Sequence, residues 1–340
     1  MSTPQNIILI RFSSIGDVLL TTPIVRVLKK NYPDAALHYV TKDVHVCLVE
    51  NNPCVDNIFS LPSPYSLSSL LSLREEVIKL NPDMVVDLHS NMRSLVFRIL
   101  LSGTHMIYKK KTIQRFKSVL PGKQEVECDF VAERYFSAIK DLGMEPDGKG
   151  LDFFPGETRE DLDVIESAGV DLQSAKRVTL CPGAGRKTKQ WPEEYFAALT
   201  ELLVDEGFSV VLAGSADEQE LCTRVSGASE RNAAVVAGKL TLRQTGILLS
   251  HSAAAVCNDS GLMHLSTAVD TPVAAIFGST ARELGFFPYQ ARAEVLESDL
   301  PCRPCTRHGK KACPRGHFKC MKHITPVMVL EAVKRLVATP

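Results

Sequence analysis

The chain has 340 residues, too many for one typical α/β core and enough for two domains of about 150 residues each. Apolar residues make up 45% and charged residues 23%, an ordinary globular balance. Basic and acidic residues number 39 each, so no overall field draws the chain to nucleic acid or anionic lipid, and such a role needs a local patch.

The opening MSTPQNIILIRF lacks the basic start of a signal peptide, and Ile7–Ile10 is only strand length. No stretch nears the roughly 20 apolar residues of a membrane-spanning helix, so a cytoplasmic protein is expected. Ile7–Ile10 predicts a strand buried on both faces. Residues 16–31 predict a helix with a kink or late start at Pro23. Strands follow at Leu37–Thr41 and, more weakly, Val55–Ser60, then a helix at 66–80 that ends before Pro82. Met84–Leu88 reads as a strand, 91–101 as a helix, Met106–Tyr108 as extended and 127–142 as a helix stopping before Gly143. The stretch 143–157, rich in Gly, Pro and acidic residues, is placed as the linker.

A second alternation follows. Strands are expected at Arg177–Cys181, Phe208–Ala213, Ala234–Val236, Ala253–Cys257 and Pro272–Phe277. Helices are expected at 193–206, 216–229, 241–250, 261–268 and from Pro326 to Val337, with 281–323 left as loop-rich. The β-α-β-α order implies parallel sheets with helices on both faces. The expected division is 1–155, 156–325 and a C-terminal helix at 326–340, with a return of that helix onto the first domain left open.

Four segments fall at the carboxyl ends of these strands, where open α/β sheets hold ligands. Arg11-Phe12-Ser13-Ser14-Ile15-Gly16-Asp17 offers a carboxylate to the crevice, although Asp17 can equally cap its helix. It has one glycine where a dinucleotide fingerprint needs three. Cys181–Pro192 joins Gly183, Ala184 and Gly185 to Arg186, Lys187 and Lys189 just before a helix, which suits a diphosphate. Cys257–His264 brings Asp259, Ser260, Gly261 and His264 to a helix start, with capping by Ser260 or Asp259 as the plainer alternative. Gly214–Glu218 puts a carboxylate where it can cap a helix or accept both hydroxyls of a ribose.

Taken together, these segments resemble the glycosyltransferase family of lipopolysaccharide heptosyltransferases. Ser13–Pro23 is similar to the family's N-terminal signature, Pro182–Ala184 with Lys189–Pro192 to its donor-phosphate loop, and Asn258–His264 to its second donor motif. The forms Pro-Gly-Ala and Asn-Asp-Ser-Gly-Leu-Met-His look closer to the heptosyltransferase II branch. The resemblance implies a GT-B fold, two Rossmann-like parallel-sheet domains facing across a cleft. It implies inverting transfer of heptose from ADP-heptose to a lipid A–core acceptor. By position it makes Asp17 the base and Lys189 the diphosphate-holding lysine. Gly183, Ala184, Gly185, Glu218, Asp259, Ser260, Gly261 and His264 become donor-binding positions. Ala184 and Gly185 carry no hydroxyl, so phosphate contact there falls to backbone N–H groups. Ser14, Gly16 and Arg93 are the acceptor candidates.

From Lys109 to Lys123 there are six Lys or Arg and no acid, a patch suited to an acidic acceptor, to an anionic inner-membrane surface, or simply to solvent. Cys302, Cys305, Cys313 and Cys320 are spaced C-x2-C-x7-C-x6-C, open to a structural zinc or to free or redox-reactive thiols. No cofactor is required by the expected chemistry and no nucleic-acid partner is expected. Two rivals remain: a same-fold glycosyltransferase using another nucleotide sugar, and a catalytically silent nucleotide-sugar binder.

Overall fold

The computed structural model describes residues 3–110, 129–231 and 233–338. Its contacts divide the chain into two compact units, with one division between Phe154 and Pro155.

In the first unit β1 (Asn6–Ile10) leads into α1 (Ile15–Leu19) and α2 (Thr22–Asn31). The single helix expected over 16–31 is therefore two, because Pro23 sits in the first turn of α2, where its missing N–H and fixed φ cost least. Then come β2 (Ala36–Lys42), a 3-10 turn (Asp43–Leu48), β3 (Asn57–Leu61) and α3 (Leu67–Ile78). They are followed by β4 (Met84–Asp87), α4 (Met92–Arg98), β5 (Thr104–Ile107) and α5 (Val131–Phe136). The helix expected over 127–142 begins outside the described residues; within them it is α5 and a separate 3-10 turn, Lys140–Leu142, that ends at Gly143 with φ of 66°. All strand pairs are parallel, in the order β3-β2-β1-β4-β5. Ile8, Ile10, Phe12, Val40, Val85 and Phe97 form the core against α3 and α4.

The second unit opens with α6 (Arg159–Ser167), in a stretch given no element from sequence. Its start is fixed by Thr158, whose hydroxyl accepts from Asp161 N at 3.3 Å. It continues as β6 (Arg177–Cys181), α7 (Glu193–Asp205), β7 (Ser209–Leu212), α8 (Gln219–Ala228), β8 (Ala234–Val235) and α9 (Leu242–Ser250). Next are β9 (Ala254–Asn258), α10 (Gly261–Ala268), β10 (Val273–Phe277), β11 (Ala293–Glu297), α11 (Lys319–Lys322) and α12 (Pro326–Ala338). The strands run parallel in the order β11-β10-β9-β6-β7-β8. β11 corrects the loop-rich reading of 281–323; it is an edge strand whose side chains are mostly not buried, so no continuous apolar run marks it.

Val329, Leu330, Ala332, Val333 and Leu336 of α12 are buried in the second unit's own core with Val256, Ile276 and Leu199. They pack against α7, β9, β10 and β11. Among the described residues no helix is long and apolar enough to cross a membrane.

Candidate active site

In each sheet the strand order reverses next to the first strand laid down, between β1 and β4 in one unit and between β6 and β9 in the other. The loops leaving those strands diverge and open a crevice at the carboxyl edge. The predicted site residues fall in these two places.

In the first unit Ile10 stands opposite Asp87, so the chain leaves β1 and β4 side by side. Arg11 is buried there. Its Nη1 donates to Leu88 O at 2.7 Å and its Nε to Ser13 O at 2.9 Å, while Nη2 lies 2.7 Å from Asp17 Oδ1. Asp17 projects from α1 and also accepts from Ser14 Oγ at 2.9 Å and Ser14 N at 3.3 Å. The Tyr135 hydroxyl donates to Asp17 Oδ1 at 3.4 Å, and the Arg11 guanidinium sits 5.5 Å from that ring's centroid.

Burial by itself would raise the Asp17 carboxyl, but the Arg11 charge and the Ser14 hydrogen bonds outweigh it and hold the group below its usual range. Burial pushes the Tyr135 phenol well up, so it stays a donor. Asp17 takes the capping bond from Ser14 N, and its side chain is 24% exposed. Of the acceptor candidates, Ser14 is exposed, Gly16 buried and Arg93 half-buried on α4.

His89 follows β4, is buried, and has no partner for Nδ1 among the described residues. Burial, with the charges of Arg11, Lys110 and Arg93, lowers its pKa to about 3, so it is neutral. Lys42, the last residue of β2, lies over the Tyr65 ring and within electrostatic reach of Arg93. The carboxylates of Asp17 and Asp43 thus sit among cations at or after the ends of β1, β2, β4 and β5, an edge suited to an anionic ligand. Of the predicted basic patch, Lys109 and Lys110 are exposed; Lys111, Arg115, Lys117 and Lys123 lie outside the described residues.

In the second unit Cys181 stands opposite Cys257. Asn258 then ties the two departing loops together: Nδ2 donates to Pro182 O at 2.8 Å, and Oδ1 accepts from Trp191 N at 3.0 Å. Gln190 Nε2 donates to Ala184 O at 2.8 Å, closing the loop over Ala184 and Gly185. Lys189 Nζ lies 2.8 Å from Asp259 Oδ2, and that same oxygen accepts from Thr280 Oγ1 at 2.7 Å. A Cβ on Gly183 would lie 1.9 Å from Glu218 Oε1, so only glycine lets the loop after β6 meet the carboxylate after β7. Glu218 Oε2 also accepts from Ser215 N at 2.9 Å, so capping and closeness to the donor loop hold together.

The capping alternative for the second donor motif is not what the structure shows. Ser260 occupies the N-cap position of α10 but makes no capping bond, and Asp259 is turned to Lys189 and Thr280. The Ser260 hydroxyl is buried without a partner among the described residues. That hydroxyl, at the start of α10, is available to a water or to a ligand oxygen. Gly261 begins that helix, and His264, buried, completes its first turn.

The four late cysteines form no disulfide. Burial first, and the neighbouring cysteines second, push Cys305 up; burial takes Cys320 to about 11. Among the described residues no three His, Cys, Asp or Glu side chains are grouped to hold a metal ion. The loop carrying the cysteines is ordered by Arg303, which donates to Phe277 O at 3.2 Å, Thr280 O at 2.9 Å and Glu297 Oε2 at 2.9 Å. It is also held by Lys310, whose N donates to Thr188 Oγ1 at 2.7 Å.

Sequence reasoning missed the clamping role of Arg11, and it missed Tyr135, His89, Asn258 and Thr280. Asn258 carried a signal, as the one amide among the apolar residues ending β9. Tyr135 carried none, because it lies far along the chain from Asp17.

The family model described as glycosyltransferase family 9 (heptosyltransferase) matches residues 71–314. Lipooligosaccharide heptosyltransferase 2 of Haemophilus influenzae is 24% identical, over 98% of this chain and all of its own. A family 9 glycosyl transferase from Veillonella parvula superimposes with a TM-score of 0.82 at 23% identity, covering 99% of this chain and 98% of that one. The structure titled E. coli ADP-heptose lps heptosyltransferase II gives 0.77 at 22% identity, covering 98% of each chain. These likenesses show the GT-B fold, and the extent of the family match settles membership: this chain is a glycosyltransferase of family 9, the heptosyltransferases.

Proposed function

We propose that the chain transfers heptose from ADP-heptose, with inversion, to the inner core of lipopolysaccharide on a lipid A–core acceptor. The observation that carries the mechanism is Asp17, held ionised by Arg11 at the β1–β4 crevice and still open to it. The donor is supported by the similarity to E. coli ADP-heptose lps heptosyltransferase II and by the second unit's crevice, where Gly183 meets Glu218 and Lys189 meets Asp259, the neighbour of Ser260.

Asp17 takes the proton of the acceptor hydroxyl as that oxygen bonds to the anomeric carbon. The bond from that carbon to the diphosphate oxygen breaks on the opposite face, and ADP leaves with its electron pair. Lys189, the N–H groups opening α10 and the loop from Gly183 to Gly185 meet the developing charge, with no cofactor required. Glu218 accepts the ribose hydroxyls, and Asp259 and His264 complete the donor pocket. Ser14, Gly16 and Arg93 line the acceptor side, where the cations suit phosphate and acidic sugars. The reaction takes place in the cytoplasm, with the chain peripheral to the inner membrane and no nucleic-acid partner.

Calorimetry with ADP, UDP and ADP-heptose tests the donor, and NMR of the product tests the anomeric configuration. Tight binding of ADP-heptose and an inverted product support the reading. Preference for UDP overturns the donor, and a retained configuration overturns the single displacement.

A further inference from the structure

Three successive crossovers of the first unit end in an exposed apolar side chain at the same edge of the sheet. Val44 follows β2 and is 57% exposed, Leu67 opens α3 after β3 at 62%, and Met92 opens α4 after β4 at 73%. Each lies where a chain leaves the carboxyl end of a parallel strand, so the sheet itself places all three on one rim.

Side-chain contacts join the three loops. Asp43, beside Val44, accepts from Ser63 N at 2.9 Å and from the Tyr65 hydroxyl at 2.8 Å, which ties the first loop to the one carrying Leu67. Lys42 lies 4.0 Å from the centroid of the Tyr65 ring and within electrostatic reach of Arg93, the neighbour of Met92. Lys109 and Lys110, both exposed, follow β5 at the same edge. The acids Asp43 and Asp17 at this edge are already engaged, Asp43 by its hydrogen bonds and Asp17 by Arg11.

The geometry points to this rim as a docking surface for a bilayer containing anionic phospholipid. The apolar tips are separate points set among polar residues such as Ser63, Ser68 and Asn91. A protein partner buries a continuous apolar centre with a polar margin. Isolated apolar tips with cations between them suit the interfacial layer of a membrane, where apolar side chains reach the acyl boundary and cations meet anionic head groups. The overall charge of the chain is zero, so the attraction is local and orients the first unit's carboxyl edge toward the lipid. The surface stands independently of which sugar is transferred.

The test is co-sedimentation of the full chain with phosphatidylcholine vesicles, with and without phosphatidylglycerol, in the absence of donor and acceptor. Binding to the anionic vesicles and release at high salt are expected, because the Debye length shortens to about 3 Å at 1 M. The triple variant Val44→Ser, Leu67→Ser, Met92→Ser should bind at least about tenfold more weakly. It should keep wild-type ADP binding and thermal unfolding. Ile99→Ser with Leu100→Ser alters side chains 62% and 61% exposed beyond the other end of α4, and should bind as wild type does. Equal binding to neutral and anionic vesicles, an unchanged triple variant, or an equal loss in the Ile99/Leu100 control overturns the assignment.

Discussion

The Arg11 guanidinium meets the Asp17 carboxylate at 2.7 Å while its other nitrogens are spent on the backbone of Ser13 and Leu88. The cation is thus fixed by the ends of β1 and β4, and the carboxylate is fixed by the cation. Asp17 acts as a base only when ionised, and its folded pKa is lowered, so turnover should lose its base only below the ordinary carboxylate range. Arg11→Met leaves burial as the dominant influence and should move the acid limb of kcat to higher pH, whereas Arg11→Lys should keep it low. The same lowering stabilises the fold above the unfolded carboxyl's pKa and is lost as pH falls through the folded value. A pH–kcat profile for the three proteins checks this.

Asp17→Asn keeps the shape and loses the base. Turnover should fall about 10²–10⁴-fold. ADP affinity should be unchanged, because the donor crevice belongs to the other unit. Steady-state kinetics beside calorimetry separate the two; loss of ADP binding would make Asp17 a structural residue.

Gly183→Ala places a methyl where the Glu218 carboxylate now lies. The clash should cost about 1–3 kcal/mol and shift the donor loop. Adding Glu218→Ala to it should restore thermal stability without restoring ADP affinity. Melting curves and calorimetry on the single and double variants test this.

Lys189→Met leaves Asp259, 7% exposed at the side chain, with its Thr280 bond and no cation. Stability should fall by about 3 kcal/mol and ADP binding with it. Lys189→Arg should recover the stability and only part of the affinity, since its forked donors do not reproduce the ammonium's position. Denaturant melts report the first effect and titration with ADP the second.

Charge on the leaving ADP is assigned to Lys189 and to backbone N–H groups, so dialysis against a chelator should leave transfer unchanged. Metal analysis of the purified chain, read alongside activity, checks it. Zinc bound by the wild type and lost from Cys302→Ser with activity unchanged marks a structural ion; activity lost on chelation contradicts the assignment. With its thiol pushed up to about 11, Cys320 should resist alkylation at neutral pH.

The parallel sheets were legible because strands buried on both faces read as short apolar runs, as in Ile7–Ile10 and Arg177–Cys181. The motifs at their carboxyl ends were legible for the same reason, since each follows such a run. β11 was not, because Ala293–Glu297 lies at an edge and exposes Glu294 and Glu297 to partial solvation. α6 drew no element from sequence because Arg159–Ser167 buries only Asp161 and Ile165 and so offers almost no apolar stripe. For Ser260 the sequence left capping open beside a donor contact, because it shows residue type and place but not where a hydroxyl points; the structure shows no capping bond. His89 drew no reading from sequence, and only the fold shows Arg11, Lys110 and Arg93 gathered around it.

Each crevice is set within a unit that has its own core, one built on Ile8, Phe12 and Phe97, the other on Val178, Phe196 and Val333. Substitutions that remodel the rim around Arg93 therefore leave the packing beneath Gly183 and Asn258 untouched. If the acceptor and nucleotide are held as proposed, this partition lets the recognised acceptor drift over evolutionary time while the nucleotide stays the same, because each crevice rests on a core of its own.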